Sequence, residues 1–280
     1  MKLAKLKLLF VAAGLALAMG SNVSNAAITL FSNTLVEDDD LDRLSLDANG
    51  DGKLDLGDRL EAILDFGQIA SIPPGSAYDP SELTGYTEIE VIGKTLLFGS
   101  TFKIDFGPSA AFTAIYGAGA MIALFDDPAD NLNLVASCLD VAGCKTDATN
   151  GNPWAVLGLY DLDDEWFSVG SDNVGAAALL GAATKVATVN FALSFDPLQN
   201  FTGYTFLNQS VPCIVGFSCL GDGKTQLIGS ADISGGAGLT AGHVRSDTDA
   251  TVSVPEPATL ALLGLGLLGM GASLRRRKAA

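Results

Sequence analysis

One histidine, His243, in 280 residues leaves little room for imidazole chemistry. A zinc protease of the H-E-x-x-H kind needs two histidines, and no G-x-S-x-G turn exists to present a triad serine. Positive charge is also scarce. The chain has 16 Lys+Arg against 32 Asp+Glu, a net charge of −16. Residues 27–253 keep only nine of the basic residues but 31 of the acidic ones, which makes that region −22. Such a body repels phosphate backbones and anionic membrane surfaces, so nucleic acid is excluded as a partner. It favours solubility and cation binding. The hydrophobic fraction of 48% is too high for a disordered chain. With two tryptophans and few aromatics, Trp154, Trp166 and Tyr160 read as core or hairpin residues before sugar-stacking platforms. Long apolar runs occur only at the two ends.

The N-terminal run carries Lys2, Lys5 and Lys7, then Leu8 to Met19 without charge, then Ser24-Asn25-Ala26. This is the layout of an export signal, and it places signal-peptidase cleavage after Ala26. At twelve residues the run is too short to span a bilayer. The C-terminal run, Ala258 to Leu274, follows Pro255-Glu256-Pro257 and ends in Arg275-Arg276-Arg277-Lys278. As a helix these 17 uncharged residues reach roughly 25 Å, slightly less than a hydrocarbon core of about 30 Å. The basic cluster keeps to the cytoplasmic side, leaving the body outside the inner membrane. A permanent tail anchor is the alternative to a processing signal, which the Pro-Glu-Pro and its position favour. Gly264-Leu265-Gly266-Leu267-Leu268-Gly269 fits G-x-G-x-x-G, but no βαβ unit follows it, so it is no nucleotide site.

Proline-acid-proline, a short apolar helix and a basic plug, in that order over residues 254–280, resemble the PEP-CTERM sorting signal. In Gram-negative bacteria that make exopolysaccharide, the membrane protease exosortase reads this signal. The resemblance implies processing at the Pro255, Glu256, Pro257 joint, a transient inner-membrane anchor, and a final place at the cell surface or outside. It also implies association with exopolysaccharide, biofilm or floc formation.

Export gives the four cysteines a disulfide reading. Cys138 and Cys144 share one spacing with Cys213 and Cys219. Three connectivities remain open, and the repeated spacing favours the two local loops. Zinc ligation uses closer cysteine pairs.

The body reads as many short strands. Phe102, Ile104 and Phe106 alternate with polar neighbours, as do Val189, Phe191, Leu193 and Phe195, and Ile89 and Val91. Met121–Phe125, Ala155–Tyr160 and Tyr204–Leu207 are short apolar runs suited to core strands, and Gly175 to Thr184 suits one short helix. Turn signals such as Asp126-Asp127-Pro128 and Gly221-Asp222-Gly223 separate the runs. The expectation is a mainly β chain, an antiparallel β-sandwich-like body with a single C-terminal transmembrane sorting helix. Its parts are the signal (1–26), an N-terminal segment (27–70), a β-rich body (71–229), a Gly/Ser/Thr/Asp-rich stalk (230–253) and the sorting signal (254–280).

One stretch carries site chemistry. Asp47-Ala48-Asn49-Gly50-Asp51-Gly52-Lys53-Leu54-Asp55-Leu56-Gly57-Asp58 places oxygens at positions 1, 3, 5, 9 and 12 of a twelve-residue loop. Gly52 sits at the sharp turn of position 6, and the Lys53 carbonyl supplies position 7. Hard oxygens at this spacing suit Ca²⁺ in a structural role. Asp58 stands where an EF-hand has a bidentate glutamate, so the loop resembles the dockerin type more closely. A dockerin carries two such loops and this chain has one. An Asx-rich turn without metal is the alternative. The loop is expected to lead into the first major strand, while Glu37-Asp38-Asp39-Asp40-Leu41-Asp42 suits a helix start or a loop. Acidic clusters at Asp161–Glu165 and Asp126–Asp130 read as solvated turns before second calcium sites or a sugar-binding rim.

No catalytic constellation is assembled. The expectation is a non-catalytic surface or extracellular matrix protein. The alternative is a polysaccharide-binding adhesin or polysaccharide-active enzyme of the envelope. An aromatic-lined, carboxylate-bearing cleft would favour the latter.

Overall fold

The computed structural model describes residues 28, 30, 32–71, 78–79, 82–128, 131–134, 138–173, 189–211, 223–234, 236 and 238–255. In chain order the elements are β1 (Asn33–Leu46), β2 (Arg59–Ser71), β3 (Tyr78–Asp79), β4 (Glu82–Phe98), β5 (Thr101–Pro108), α1 (Ala110–Tyr116) and β6 (Ala120–Asp127). There follow α2 (Val141–Ala148), β7 (Asn152–Gly158), β8 (Glu165–Gly170), β9 (Val189–Asn200), β10 (Gln209–Ser210), β11 (Lys224–Thr225), β12 (Leu227–Ser234) and β13 (His243–Ser253).

Eight of these strands close a ring. Its order is β2-β1-β13-β12-β9-β7-β6-β4, and β4 returns to β2 through the register Arg59↔Glu90 to Phe66↔Leu83. Every pairing is antiparallel. The closure rests on two long strands that serve different neighbours along their length. β4 pairs β2 and β6 in its first half and β5 beyond Ile89. β9 pairs β12 and β8 up to Phe195 and β7 from Asp196 onward. β5 and β8 pair with each other, giving a second route between β4 and β9. The architecture is therefore a closed barrel with a split wall, where two open stacked sheets were expected. Closure leaves few unpaired edges, which an open sheet otherwise has to shield.

Period-two patterning sorts side chains between inside and outside. On β2, Leu60, Ala62, Leu64 and Phe66 join the interior core with Ile89 and Val91 of β4 and Phe191, Leu193 and Phe195 of β9. A second cluster lies outside the wall. Leu41, Ile63, Tyr86 and Phe125 face outward and are covered by Phe112 of α1 and Val141, Cys144 and Ala148 of α2. Both helices are short and capped by the residue before them. Ser109 Oγ accepts from the Phe112 amide at 3.0 Å, and Asp140 Oδ1 from Gly143 at 2.7 Å.

Several expectations change. Residues 230–253 are no stalk: they form most of β12 and all of β13, and β13 is paired on both sides. Their composition looked like linker because the inner face of β13 alternates Val244, Ser246, Thr248, Ala250 and Val252, only partly apolar. The boundary at residue 70 dissolves too, since β1 and β2 belong to the barrel. The acidic run 37–42 is neither helix nor loop but the middle of β1. Tyr204–Leu207 lies outside any strand; Phe206 is buried against Trp154, ring centroids 5.9 Å apart. The runs at 89–91, 102–106, 121–125 and 189–195 are strands as read. Among the described residues no helix is long and apolar enough to cross a membrane. The leader, Gly175–Thr184 and Ala258–Leu274 lie outside the described residues.

The first strand starts where the last one ends. Asn33 pairs Ser253 across the β1–β13 ladder, and Ser253 Oγ donates to Asn33 Oδ1 at 2.9 Å.

Tight contact between β6 and β7 gives a direct test of the packing. A Cβ on Gly158 would stand 2.1 Å from the Gly119 carbonyl oxygen and 3.0 Å from Ala120 Cα. Both are backbone, so the strands must part. Gly158→Ala is expected to lose about 2–3 kcal/mol, read as a lower urea midpoint at unchanged m value.

Candidate functional site

The loop Asp47–Asp58 is the connection between β1 and β2. Gly50 and Gly52 both adopt φ of 74°, the left-handed turn that a side chain resists. Asp47 Oδ1 accepts from Gly50 N–H at 2.6 Å and Oδ2 from Gly52 N–H at 2.7 Å. These bonds, Gly52's first, hold the Asp47 carboxyl below its ordinary range. Asn49 accepts from Asp51 N–H, and Asp51 from Lys53 N–H. Asp58 is buried and closes the loop from behind, its two oxygens accepting from Ala48 at 3.0 Å and Asp55 at 2.8 Å. Leu54 is fully buried in the interior core.

Asp55 is held differently. Lys94 of β4 donates to Asp55 at 2.6 Å and to Asp172 at 2.8 Å, and Asn49 Nδ2 donates to the other Asp55 oxygen. The Lys94 hydrogen bond, foremost, lowers the Asp55 carboxyl. The predicted ligand residues are thus brought into one loop, where they bind its own amides and Lys94. Among the described residues no three acidic, histidine or cysteine side chains gather closely enough to hold a metal ion.

A second polar group lies inside the barrel, and sequence reading missed it. Asp40 and Asp42 of β1 face inward, in register with Leu64 and Ala62 of β2. Ser246 Oγ lies 3.2 Å from an Asp40 oxygen and 2.5 Å from an Asp42 oxygen, and Thr248 donates to Asp40. A hydroxyl has one proton to donate. Bonding both carboxyls through Ser246 therefore calls for a proton on one of them. Burial, first, and the neighbouring Asp40 charge push the Asp42 carboxyl well above its ordinary range, against the lowering bond from Ser246. The only sequence signal was an acidic run with period-two access to the core.

The remaining candidates serve the fold. Asp164 accepts from the Tyr160 and Asp161 amides, and Asp163 accepts from Lys224. Asp196 accepts from Gln226. The 161–165 cluster is accordingly a built turn that ties its loop to β11 and β9, not a solvated one. His243 is buried; its Nε2 accepts from Val141 N–H at the start of α2 and its Nδ1 faces the Thr240 carbonyl. The Cys138 and Cys144 sulfurs are 2.17 Å apart, the local pairing. Cys213 and Cys219 lie outside the described residues, as do Ala26, Glu256 and Pro257; Pro255 is the last residue described.

Residues 253–278 match the PEP-CTERM protein-sorting motif. No curated protein and no solved structure matches the chain. The motif supports an exported protein sorted by exosortase and passing through a membrane.

Burial pushes the Asp164 carboxyl up to about 6, although the Tyr160 and Asp161 amides pull it down. A raised acid binds its proton more tightly folded than unfolded. Its contribution is present below the ordinary 3.8 and declines as pH rises towards about 6. Relative to wild type, Asp164→Asn should therefore gain stability across that window, by up to roughly 2–3 kcal/mol. Paired urea melts at the two ends of the window read this difference.

Proposed function

We propose that this chain is an exported, non-catalytic protein of the cell surface or extracellular matrix, sorted and released by exosortase and working with exopolysaccharide in biofilm or floc formation. The observation that carries the reading is the sorting motif at residues 253–278. The uses of the polar groups support it. The single histidine caps a helix, and several buried carboxylates accept backbone amides. Signal peptidase acts at Ala26 and exosortase near Pro255-Glu256-Pro257, with the inner membrane holding the tail between the two events.

Mass spectrometry of the protein from culture, with and without exosortase, tests this. The released body is expected to begin at Ala27 and to lack Arg275–Lys278. Released protein with an intact basic tail overturns the sorting reading.

Calcium belongs to the same proposal. Asp47, Asn49, Asp51, Asp55 and Asp58 with the Lys53 carbonyl would hold it, and it would stiffen the β1–β2 connection. Extracellular sites of this kind have dissociation constants on the order of 10⁻⁴–10⁻³ M. In calcium at about ten times that constant, wild type should gain roughly 1.4 kcal/mol. Asp51→Ala should gain nothing. Thermal melts in calcium and in chelator read the difference, and equal shifts for both proteins remove the site.

A further inference from the structure

At the end of the barrel where β13 leads into the tail, a loop after β9 keeps large apolar side chains in water. Phe201 is 56% exposed and Leu207 41%. The loop is tied along its length. Phe201 N–H donates to the Trp154 carbonyl at 3.0 Å, Asn200 Nδ2 to the Tyr204 carbonyl at 2.9 Å, and Thr202 Oγ1 to Asn200 Oδ1 at 2.7 Å. Phe206 roots it in the interior core beside Trp154. Leu207 N–H then donates to the Ser253 carbonyl at 2.8 Å, just before Pro255. A built loop thus holds Phe201 and Leu207 out, so a contact made by them costs little further ordering. The β4–β5 tip also exposes Phe98, but at the opposite end of the barrel. Ile89 of β4 pairs Leu60, Leu60 pairs Leu44, and the adjacent Arg43 pairs His243 at the start of β13; Phe98 lies farther out along β4.

We propose that Phe201 and Leu207 form a lipid-facing foot, which seats the body on the membrane while the tail is embedded and so holds the Pro255-Glu256-Pro257 joint at the bilayer surface. The proposal rests on the sorting reading, because the tail is what brings a membrane to this end. Reach carries it. From Ser253 to Ala258, where the apolar run begins, the chain extends at most roughly 17 Å. The headgroup layer takes up roughly 6 Å of that. Even with the joint fully extended, the barrel end stays within roughly 11 Å of the headgroups. Tethering makes the contact intramolecular, so two apolar side chains suffice where a free body would not stay bound. Both gain by leaving water for the interface. A second copy as the occupant would bring another strongly acidic body against the first. A seated body also presents its joint in a fixed place to a protease embedded in the same membrane.

The test reconstitutes the full chain through its tail into phosphatidylcholine vesicles, plain or brominated on the acyl chains near the headgroup. Flotation of wild type reports whether the tail holds the vesicle. Phe201→Trp and Phe98→Trp each add one fluorescent reporter, and wild type supplies the background of Trp154 and Trp166. Brominated lipid should quench the Phe201→Trp reporter strongly and the Phe98→Trp reporter no more than background. Adding Leu207→Ser to Phe201→Trp should lower the ratio of seated to unseated body by roughly fivefold or more. In cells, the double variant Phe201→Ser, Leu207→Ser should release its body more slowly, with tailed precursor collecting at the membrane. Circular dichroism reports folding of each variant, and if the double variant does not fold, quenching decides alone. Wild type that does not float removes the anchor of the sorting reading and the foot with it. Flotation with Phe201→Trp unquenched, or with Phe98→Trp quenched as strongly, overturns the foot alone. Release at the wild-type rate from the folded double variant overturns its hold on the joint.

Discussion

The β2–β4 pairing is the contact on which the rest depends. It is the seam that turns an open run of strands into a ring. Without it β2 and β4 would expose long unpaired edges, and the inner faces of β1 and β13 would have no opposite wall. The loop at 47–58 sits at one end of this seam. Gly57 N–H donates to the Val91 carbonyl and Val91 N–H to the Asp58 carbonyl, so the loop's last residues continue the ladder. Lys94, three residues further along β4, reaches back to Asp55. The acidic loop and the barrel closure are one mechanical unit, and anything that stiffens the loop stiffens the seam.

Much of the barrel was legible because its strands alternate. Leu60, Ala62, Leu64 and Phe66 carry their inward face in the letters, and so do Phe191, Leu193 and Phe195. Strand β13 was illegible for a physical reason. Its inner positions include Ser246 and Thr248 because they answer Asp40 and Asp42 on the neighbouring strand, and that answer exists only once β1 and β13 lie side by side. Read alone, each strand looks like solvent-facing chain; read together, they are one polar wall. Tyr204–Leu207 failed in the opposite sense: an apolar run too short to show a period marked a buried coil rather than a strand. The twelve-residue loop was legible in spacing and in its glycine turns. Lys94 was not, because it arrives from a strand 39 residues beyond Asp55.

The acidity of the body takes on a different meaning in this light. Asp47, Asp58, Asp140, Asp161, Asp163, Asp164 and Asp196 each accept a backbone amide. A chain with many turns and few helices has many amides outside ladders, and short carboxylates are well suited to satisfy them. Part of the strong negative charge is thus a by-product of how the turns are closed. The same charge keeps the exported body soluble and repelled from anionic surfaces.

The meeting of Asn33 and Ser253 at one end of the barrel sets how the body would bear a pull. The tail leaves from β13, which is held on one side by eleven register pairs to β1 and on the other by eight to β12. Tension applied beyond Ser253 runs along β13, loading both ladders in shear. Peeling would open one pair at a time; shear engages many at once. A pull taken up by an inner strand, rather than by an edge, stresses this end of the chain while the ring stays shut.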